Sequence, residues 1–420
     1  MANAFNKEEL VAWEQIIEGF EDGEVMSKNV SKYQISGTEA ARTNDTIWRP
    51  YKYIATSYDG MDQTANFKDQ TQLAVPATIG FKKSSPFVLD ASELRDALQQ
   101  QRLGEAARQK LSSDINTAVA RVAAMQGTVV VTKAGAAGTY DDIALADAAL
   151  TEQGISMEER KFVLSARDYN GLAGDLAKGT RSFTGNKSAD AYTRSFVGEV
   201  AGFDTFKADY VPRLTAATAT AVTIGAANQF YTPKATSTAV TGEVGNVDNR
   251  YQTITIAATG TVKEGDCFTI AGVESVHHIN KEATGQLKTF RVIKVNSATS
   301  VVISPPIISG QGGTQAELQY KNVSATPANG AAITFLNIKT AYANPFWHKD
   351  AIELIPAAAA VPRDAGAAVL TYRTESGIEI VFQKQYDINT MKTKFRLDTW
   401  FGVVANNPEM MGIELFNQTP

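Results

Sequence analysis

VDNRYQTITIAATGTVKEGDCFTIAGV at 247–273, followed after a loop by LKTFRVIKVNSATSVVISP at 287–305, is a β module set inside something of a different kind. Tyr251, Thr253 and Thr255 alternate with Gln252, Ile254 and Ile256, the period of two of half-buried strands. Gly265-Asp266 and Asn296-Ser297 supply turns. Outward from this core the composition stays rich in Ala, Thr and Val and poor in charge, from near Thr215 to near Leu336. That stretch is predicted to be an inserted β domain, with mobile segments at 235–246 and 309–313. Its aromatics, Phe230, Tyr231, Tyr251, Phe268, Phe290, Tyr320 and Phe335, are spread singly, which disfavours a sugar-binding surface.

The 420 residues suit two or three domains, and a hydrophobic content of 44% is that of a folded, soluble protein. No apolar run approaches the roughly 20 residues that cross a bilayer, and the chain opens without a charged-then-apolar export signal. A single cysteine, Cys267, excludes an internal disulfide framework and points to a reducing cytoplasm. With three histidines, the chain has few soft ligands for zinc or iron. The net charge of −5 argues against tight binding of nucleic acid, whose affinity comes from Lys and Arg replacing counterions. It is compatible with enclosing nucleic acid without gripping it.

Residues 6–24 read as an acidic amphipathic helix capped by Asn6 with Glu9, its stripe being Leu10, Trp13, Ile17 and Phe20. Its polar face carries Glu14, Glu18 and Glu21, either as an ordinary solvated surface or as a dock for a basic partner. Residues 46–83 read as a long two-stranded excursion with a turn-rich tip at 57–69. A hairpin with so little to bury is marginal alone, so it is expected to lean on something outside its own subunit. A helix is predicted over about 90–126, capped by Asp90 or Ser92 and bent at Gly104, with Leu111, Ile115, Ala118, Val122 and Met125 as its stripe. Strands follow at 128–132 and 162–164, helices at 141–154 and 166–178, and strands again at 344–355, 368–384 and 395–404.

Signals for catalysis are weak. Residues 179–188, GTRSFTGNKS, place five residues between the glycines and Asn186 before Lys187, which is not the spacing of a phosphate loop. His277 and His278 would point to opposite faces of a strand and suit a surface loop better than a metal. His348, beside Trp347 and near Asp350, has no nucleophile tied to it. Cys267 in a predicted strand reads as core.

Several pieces carry a resemblance. They are Asn44-Asp45-Thr46-Ile47-Trp48-Arg49-Pro50, Glu93-Leu94-Arg95-Asp96, 106–111 (AARQKL), Val200-Ala201-Gly202-Phe203-Asp204, Phe346-Trp347 with Asp350-Ala351-Ile352, and 397–408. In their joint order they resemble the coat proteins of short-tailed, Salmonella-type double-stranded DNA phages. Val247-Asp248-Asn249-Arg250, Ile270-Ala271-Gly272-Val273 and Phe290-Arg291-Val292 resemble that family's telokin-like insertion domain.

The resemblance implies an α+β, Hong Kong 97-like capsid fold. Its parts would be an N-terminal arm (1–45), an E-loop (46–83), a capsid core (84–214 and 337–420) with a spine helix and peripheral and axial domains, and an inserted all-β barrel (215–336). It also implies a major capsid protein, not an enzyme, that assembles with itself as hexamers and pentamers into an icosahedral shell, first a procapsid and then a mature head. Scaffolding and portal proteins would be partners. Double-stranded DNA would be enclosed without sequence-specific binding, with no membrane, metal or cofactor, and assembly would take place in the bacterial cytoplasm. Carried onto this chain, Glu14, Glu18 and Glu21 would meet the scaffold, and Arg49, Asp59 and Lys68 would lie in the inter-subunit loop. Asp248 and Arg250 would serve contacts between capsomers. Lys68 is the candidate for an isopeptide link, although the family resembled holds together without one. The alternative is a β-rich tail, spike or carbohydrate-binding module.

Overall fold

The computed structural model describes residues 5, 7–23, 25–33, 46–52, 54–55, 57, 59–90, 93, 97–177, 197–358 and 366–419. The glycine-containing loop at 179–188 and the capping residues Asn6 and Ser92 lie outside them. Two units divide the chain: Met1–Ile47 with Ala77–Val119 and Ile352–Val404, and Trp48–Pro76 with Ala120–Ala351 and Ala405–Pro420.

In the second unit the alternating run forms the strand Gln252–Thr259, with Gln252, Ile254 and Ile256 buried and Thr253 and Thr255 exposed. It belongs to an antiparallel sheet in the order Thr220–Ile224, Gln252–Thr259, Ser300–Ser304, Ala283–Ser297, Cys267–Val276, Ile333–Phe335. A bridge between Thr223 and Ala332 joins the two edges, so the sheet closes in the manner of a barrel. Ile254, Ile270, Val292, Ile303 and the cross-strand pair Phe268 and Phe290, ring centroids 5.7 Å apart, fill the interior. Each such side chain contributes about 1.5–3 kcal/mol by leaving water. Leu214 pairs with Ala341 and Arg213 with Tyr342, so the chain enters and leaves this region side by side. Asn296 and Ser297 end their strand rather than turning it; the reversal falls at Ala298 and Thr299, because Ser297 still pairs with Ser300.

The second unit also holds a mixed sheet in the order Val129–Thr132, Met411–Leu415, Asn344–His348, Arg160–Ser165, Phe203–Ala208, Glu199–Val200. The valine run at 129–131 is buried for its first two residues and pairs in parallel with 412–415. Phe162 stacks on Phe346 at 5.7 Å and meets Phe203 edge-on at 5.6 Å. The helix Tyr140–Glu152 starts at a capping box made by Thr139 and Asp142. Arg160, 1% exposed, ties that helix's far end to the sheet. Its guanidinium donates to Asp147, to Thr151 Oγ1 at 3.1 Å, to Ile155 O at 2.7 Å and to Ser156 O at 2.8 Å. A buried cation satisfied in this way is retained, whereas an unpaired one would cost several kcal/mol.

In the first unit, strands Ser31–Lys32, Ile352–Ala357, Lys392–Ala405, Glu379–Asp387 and Ala368–Arg373 form a sheet in that order, and Phe81–Asp90 pairs along 392–401. This ladder corrects the predicted helix start: Asp90 closes a strand, and the long helix runs Ala97–Gln126. The helix runs through Gly104 without interruption. A Cβ there would stand 2.6 Å from Ile16 Cδ1, and one on Gly19 would collide with Arg108, so the two glycines let the helices Lys7–Gly23 and Ala97–Gln126 approach. The single strand expected at 368–384 is two strands, turned where Gly377 N donates to Thr374 O at 2.8 Å.

Candidate assembly surfaces

The arm helix Lys7–Gly23 buries Trp13 and Phe20 of the predicted stripe, puts Glu9 and Ile16 inside in place of Leu10 and Ile17, and leaves Leu10 exposed. The cause is a tertiary ion pair. Lys384 Nζ stands 2.6 and 2.9 Å from the two oxygens of Glu9, and Trp13 stacks on Phe382 at 5.5 Å. Glu9 therefore faces inward, while Glu14 and Glu18 face solvent. The side chain of Glu21 lies outside the described residues.

The hairpin at 46–83 divides into an anchored base and an exposed tip. Strands Ile47–Pro50 and Ala74–Ala77 pair, and Tyr51 N donates to Leu73 O at 2.9 Å. Tyr51, Ile54 and Leu73 pack against Tyr231, Ile308 and Tyr320, and Tyr320 Oη donates to Thr71 O at 2.9 Å. This corrects the expectation that the whole excursion leans outside its own chain. The base does not; its burial was missed because the apolar partners lie more than 150 positions downstream in the sequence, at the earliest Tyr231. Returning residues 81–83 belong to the ladder with 392–401 and are not hairpin. The tip is different. Gln63 Nε2 donates to Gly60 O at 2.5 Å and Thr64 Oγ1 to Asp62 at 2.6 Å, so the turn is shaped locally. Met61 and Phe67 are nevertheless almost fully in water, at 105% and 88% exposure. Asp59 and Lys68 are exposed there, and Arg49 sits half-buried on the outgoing strand.

A second hairpin pairs Thr236–Thr238 with Val244–Asn246 and is exposed along its whole length, with Val240 and Val244 bare. The segment expected to be mobile thus has a regular ladder. Its base is held by Asn249, whose Oδ1 accepts from Lys234 N at 3.0 Å and whose Nδ2 donates to Lys234 O at 2.8 Å. Beside it Arg250 grips Asp248 through two bonds of 2.9 and 2.7 Å and donates to Ala405 O at 2.8 Å. The structure therefore brings Asp248 and Arg250 together as a bracket under the hairpin, directed into their own subunit. The loop at 309–313 is also held: Gly312 N donates to buried Glu317 at 2.7 Å.

Candidate chemical residues are structural. Cys267 is fully buried, and burial pushes its thiol pKa up, away from reactivity. His348 is packed, its Nδ1 accepting from Asp350 N at 3.2 Å. The histidine pair lies half-buried in the turn that follows the strand Cys267–Val276, with Ile279 and Asn280 exposed beyond it. His277 Nδ1 accepts from Ile279 N and Asn280 N at 3.2 Å, forming a turn, and His278 turns its Nε2 end inward. Among the described residues no group of His, Cys, Asp and Glu is placed to hold a metal, and no helix is long and apolar enough to cross a membrane. Sequence reasoning passed over Met61, Phe67 and Val240. The signal for them was isolated apolar residues in otherwise polar turns.

The sequence profile of the family described as "P22 coat protein - gene protein 5" matches residues 1–417. Among solved structures, a chain of Mycobacterium phage Che8 is similar at 11% identity over 94% of this chain and 91% of that one, with a TM-score of 0.44. A chain from the capsid of cyanophage P-SCSP1u is similar at 10% identity over 93% and 87%, TM-score 0.43. The CUS-3 coat protein I-domain is 46% identical over 28% of this chain and 95% of its own length, TM-score 0.23.

Proposed function

Since the chain belongs to the P22 coat protein family, and is thus a major capsid protein that assembles with itself into the icosahedral shell of a phage, we propose how its surfaces divide that work. The hairpin tip around Met61 and Phe67, with Arg49, Asp59 and Lys68, contacts the next subunit within a hexamer or pentamer. The exposed hairpin 236–246, braced by Asp248 and Arg250, contacts the neighbouring capsomer. The arm helix, through the exposed Glu14 and Glu18 and through Glu21, receives a basic segment of a scaffolding protein. A portal protein and packaged double-stranded DNA complete the particle, which forms in the bacterial cytoplasm as a procapsid and then matures. The chain works by assembly and carries out no catalysis. The layout behind these roles is an arm at 1–45, an E-loop at 46–83, a capsid core at 84–214 and 337–420, and an inserted domain at 215–336.

The observation that carries this reading is the contrast within one hairpin, an apolar-packed base holding out a tip whose Met61 and Phe67 touch almost nothing. Two large apolar side chains left in water on a braced projection suit a heterologous contact that closes into rings. Replacing Phe67 by Ser should leave the melting temperature of the free subunit unchanged, since exposed sites alter stability by less than about 0.5 kcal/mol. Assembly, followed by light scattering, should slow severalfold and need a higher subunit concentration. Unaltered assembly kinetics would remove the tip from the contact. The whole-chain family match leaves the tail or spike alternative without support.

A further inference from the structure

A cavity of about 300 Å³ lies beside the foot of the hairpin 236–246, where Asn249 and Arg250 line it. Its walls are apolar, from Ile54, Leu73, Ile308 and Tyr320, and its rim carries the exposed Lys52, Ala55 and Ile279, so it opens to water. Glu409, deeper in the lining, is already neutralised by Lys288 at 2.6 Å. Apolar groups entering from outside would leave water without disturbing the walls, which Tyr320 Oη ties to Thr71 O.

The hairpin itself offers the complementary shape. Val240 at its turn is 109% exposed and Val244 67%, on a ribbon whose foot Asn249 fixes. A braced projection of this kind loses little freedom on docking. Charge agrees with shape. Glu243 is the only charged residue of the hairpin and is exposed, as is Lys52 on the rim, and among the described residues neither side chain has an ion pair. From Thr236 to Val240 the ribbon spans roughly 14 Å, so its tip stands away from the cavity at its own foot. Two copies packed antiparallel place each tip at the other's foot, the self-complementary arrangement of a two-fold contact. We propose that, across the contact between capsomers, Val240 and Val244 of one copy seat in this cavity of a second copy while Glu243 meets Lys52 on its rim. The inference rests on the assignment of the hairpin 236–246 to that contact and names the surface that receives it.

Shell assembly by the full-length chain tests it with Glu243→Lys, Lys52→Glu and the two together. Each single reversal should slow assembly severalfold by setting like charges face to face, and the double reversal should restore it, because the pair is only exchanged. The melting temperature of the free subunit should not change, since both sites are exposed. With Val240→Cys and Ala55→Cys in one chain, oxidation of assembled shells should join positions 240 and 55 of different subunits, identified by mass spectrometry; Cys267 is buried and takes no part. Single reversals without effect, a double reversal that does not restore assembly, or shells without the 240–55 link would overturn the proposal. A link from Phe67→Cys to Ala55→Cys in its place would do the same, giving the cavity to the tip of the other hairpin. Val240→Asp separates this failure from that of the hairpin's own assignment: if it still blocks assembly, the hairpin keeps its place between capsomers and only the cavity is wrong, whereas normal assembly removes both.

Discussion

Glu409 and Glu414 are near neighbours in the sequence and are both buried, at 7% and 0% exposure, yet their surroundings treat them in opposite ways. Burial alone would raise the pKa of Glu409. The Lys288 ammonium, with hydrogen bonds from Lys288 and Asn322, outweighs it and holds the carboxyl below its ordinary value. Burial likewise raises Glu414, and there Asp142 and Asp168 push in the same direction while Lys133, already bonded to Asp142, offsets too little. Its pKa ends well above the carboxylate range, and neither oxygen has a hydrogen-bond partner among the described residues. Depth does not decide the fate of a buried acid; the partner does.

The paired acid belongs to a longer seam. Lys288 lies in the strand Ala283–Ser297, where Thr289 Oγ1 donates to Thr128 O at 2.6 Å and Arg291 Nη1 to Gly127 O at 3.2 Å. Gly127 follows the last turn of the long helix, so the buried Arg291 also meets the negative end of that helix. The largest effect is therefore expected from Lys288→Met. It leaves Glu409 buried without its cation and should cost about 3–5 kcal/mol in urea unfolding of the full-length subunit. A loss below about 1 kcal/mol would mean that Asn322 suffices for Glu409, and the contrast with Glu414 would collapse.

Glu414→Gln should move stability in the other direction. A carboxyl whose folded pKa is raised contributes stability fully below its unfolded value, near 4.3, and loses it as pH rises toward the folded value. At pH 7 the wild-type chain must either keep that proton or bury a charge. The amide avoids both and should gain about 2 kcal/mol, the gain shrinking toward zero below about pH 4. Glu409 has the opposite sign, its contribution being present above the unfolded pKa and lost as pH falls through the lowered folded value. A Glu414→Gln gain that is flat with pH would show that packing, not ionisation, separates the two acids.

The sequence made the periodic parts of the fold legible and hid the parts that depend on distant partners. Ile254 and Ile256 reveal their inward face by alternation, and the long helix shows itself by Leu111, Ile115 and Val122. The long helix starts later than its cap signal because Asp90, which does accept from Glu93 N, also pairs with Lys392 and ends a strand. The break at Thr374 to Gly377 was written in its turn residues, Glu375-Ser376-Gly377, and was overlooked among flanking β-formers. Glu9 could not have been placed inside without knowing of Lys384, nor Glu409 without Lys288. At the candidate assembly surfaces, the acidic stripe of the arm was visible because charge on a helix face needs no partner to be counted. The bracket of Asp248 and Arg250 could be located but not oriented, since the carbonyl that holds Arg250 belongs to Ala405.

The smallest effect on stability is expected where acids are exposed, and there the comparison extends to the arm helix. Glu9 is paired inside, while Glu14 and Glu18 stand in water on the same helix. Reversing Glu14 and Glu18 to Lys, together with Glu21, should change the unfolding free energy of the subunit by less than about 0.5 kcal/mol, because Glu14 and Glu18 are exposed and exposed charges are screened. Their effect should appear instead in association. If the arm receives a basic scaffolding segment, the wild-type interaction should weaken as salt rises, since attraction between exposed charges fades beyond a Debye length of about 8 Å at physiological ionic strength. The reversed arm should recruit little scaffold at low salt and lose no more as salt increases. Co-sedimentation of scaffold with assembled particles at two salt concentrations separates the cases. Equal scaffold content in wild-type and reversed particles, insensitive to salt, would reduce the stripe to a solvated face and leave to this helix the inward task of Glu9, its pairing with Lys384.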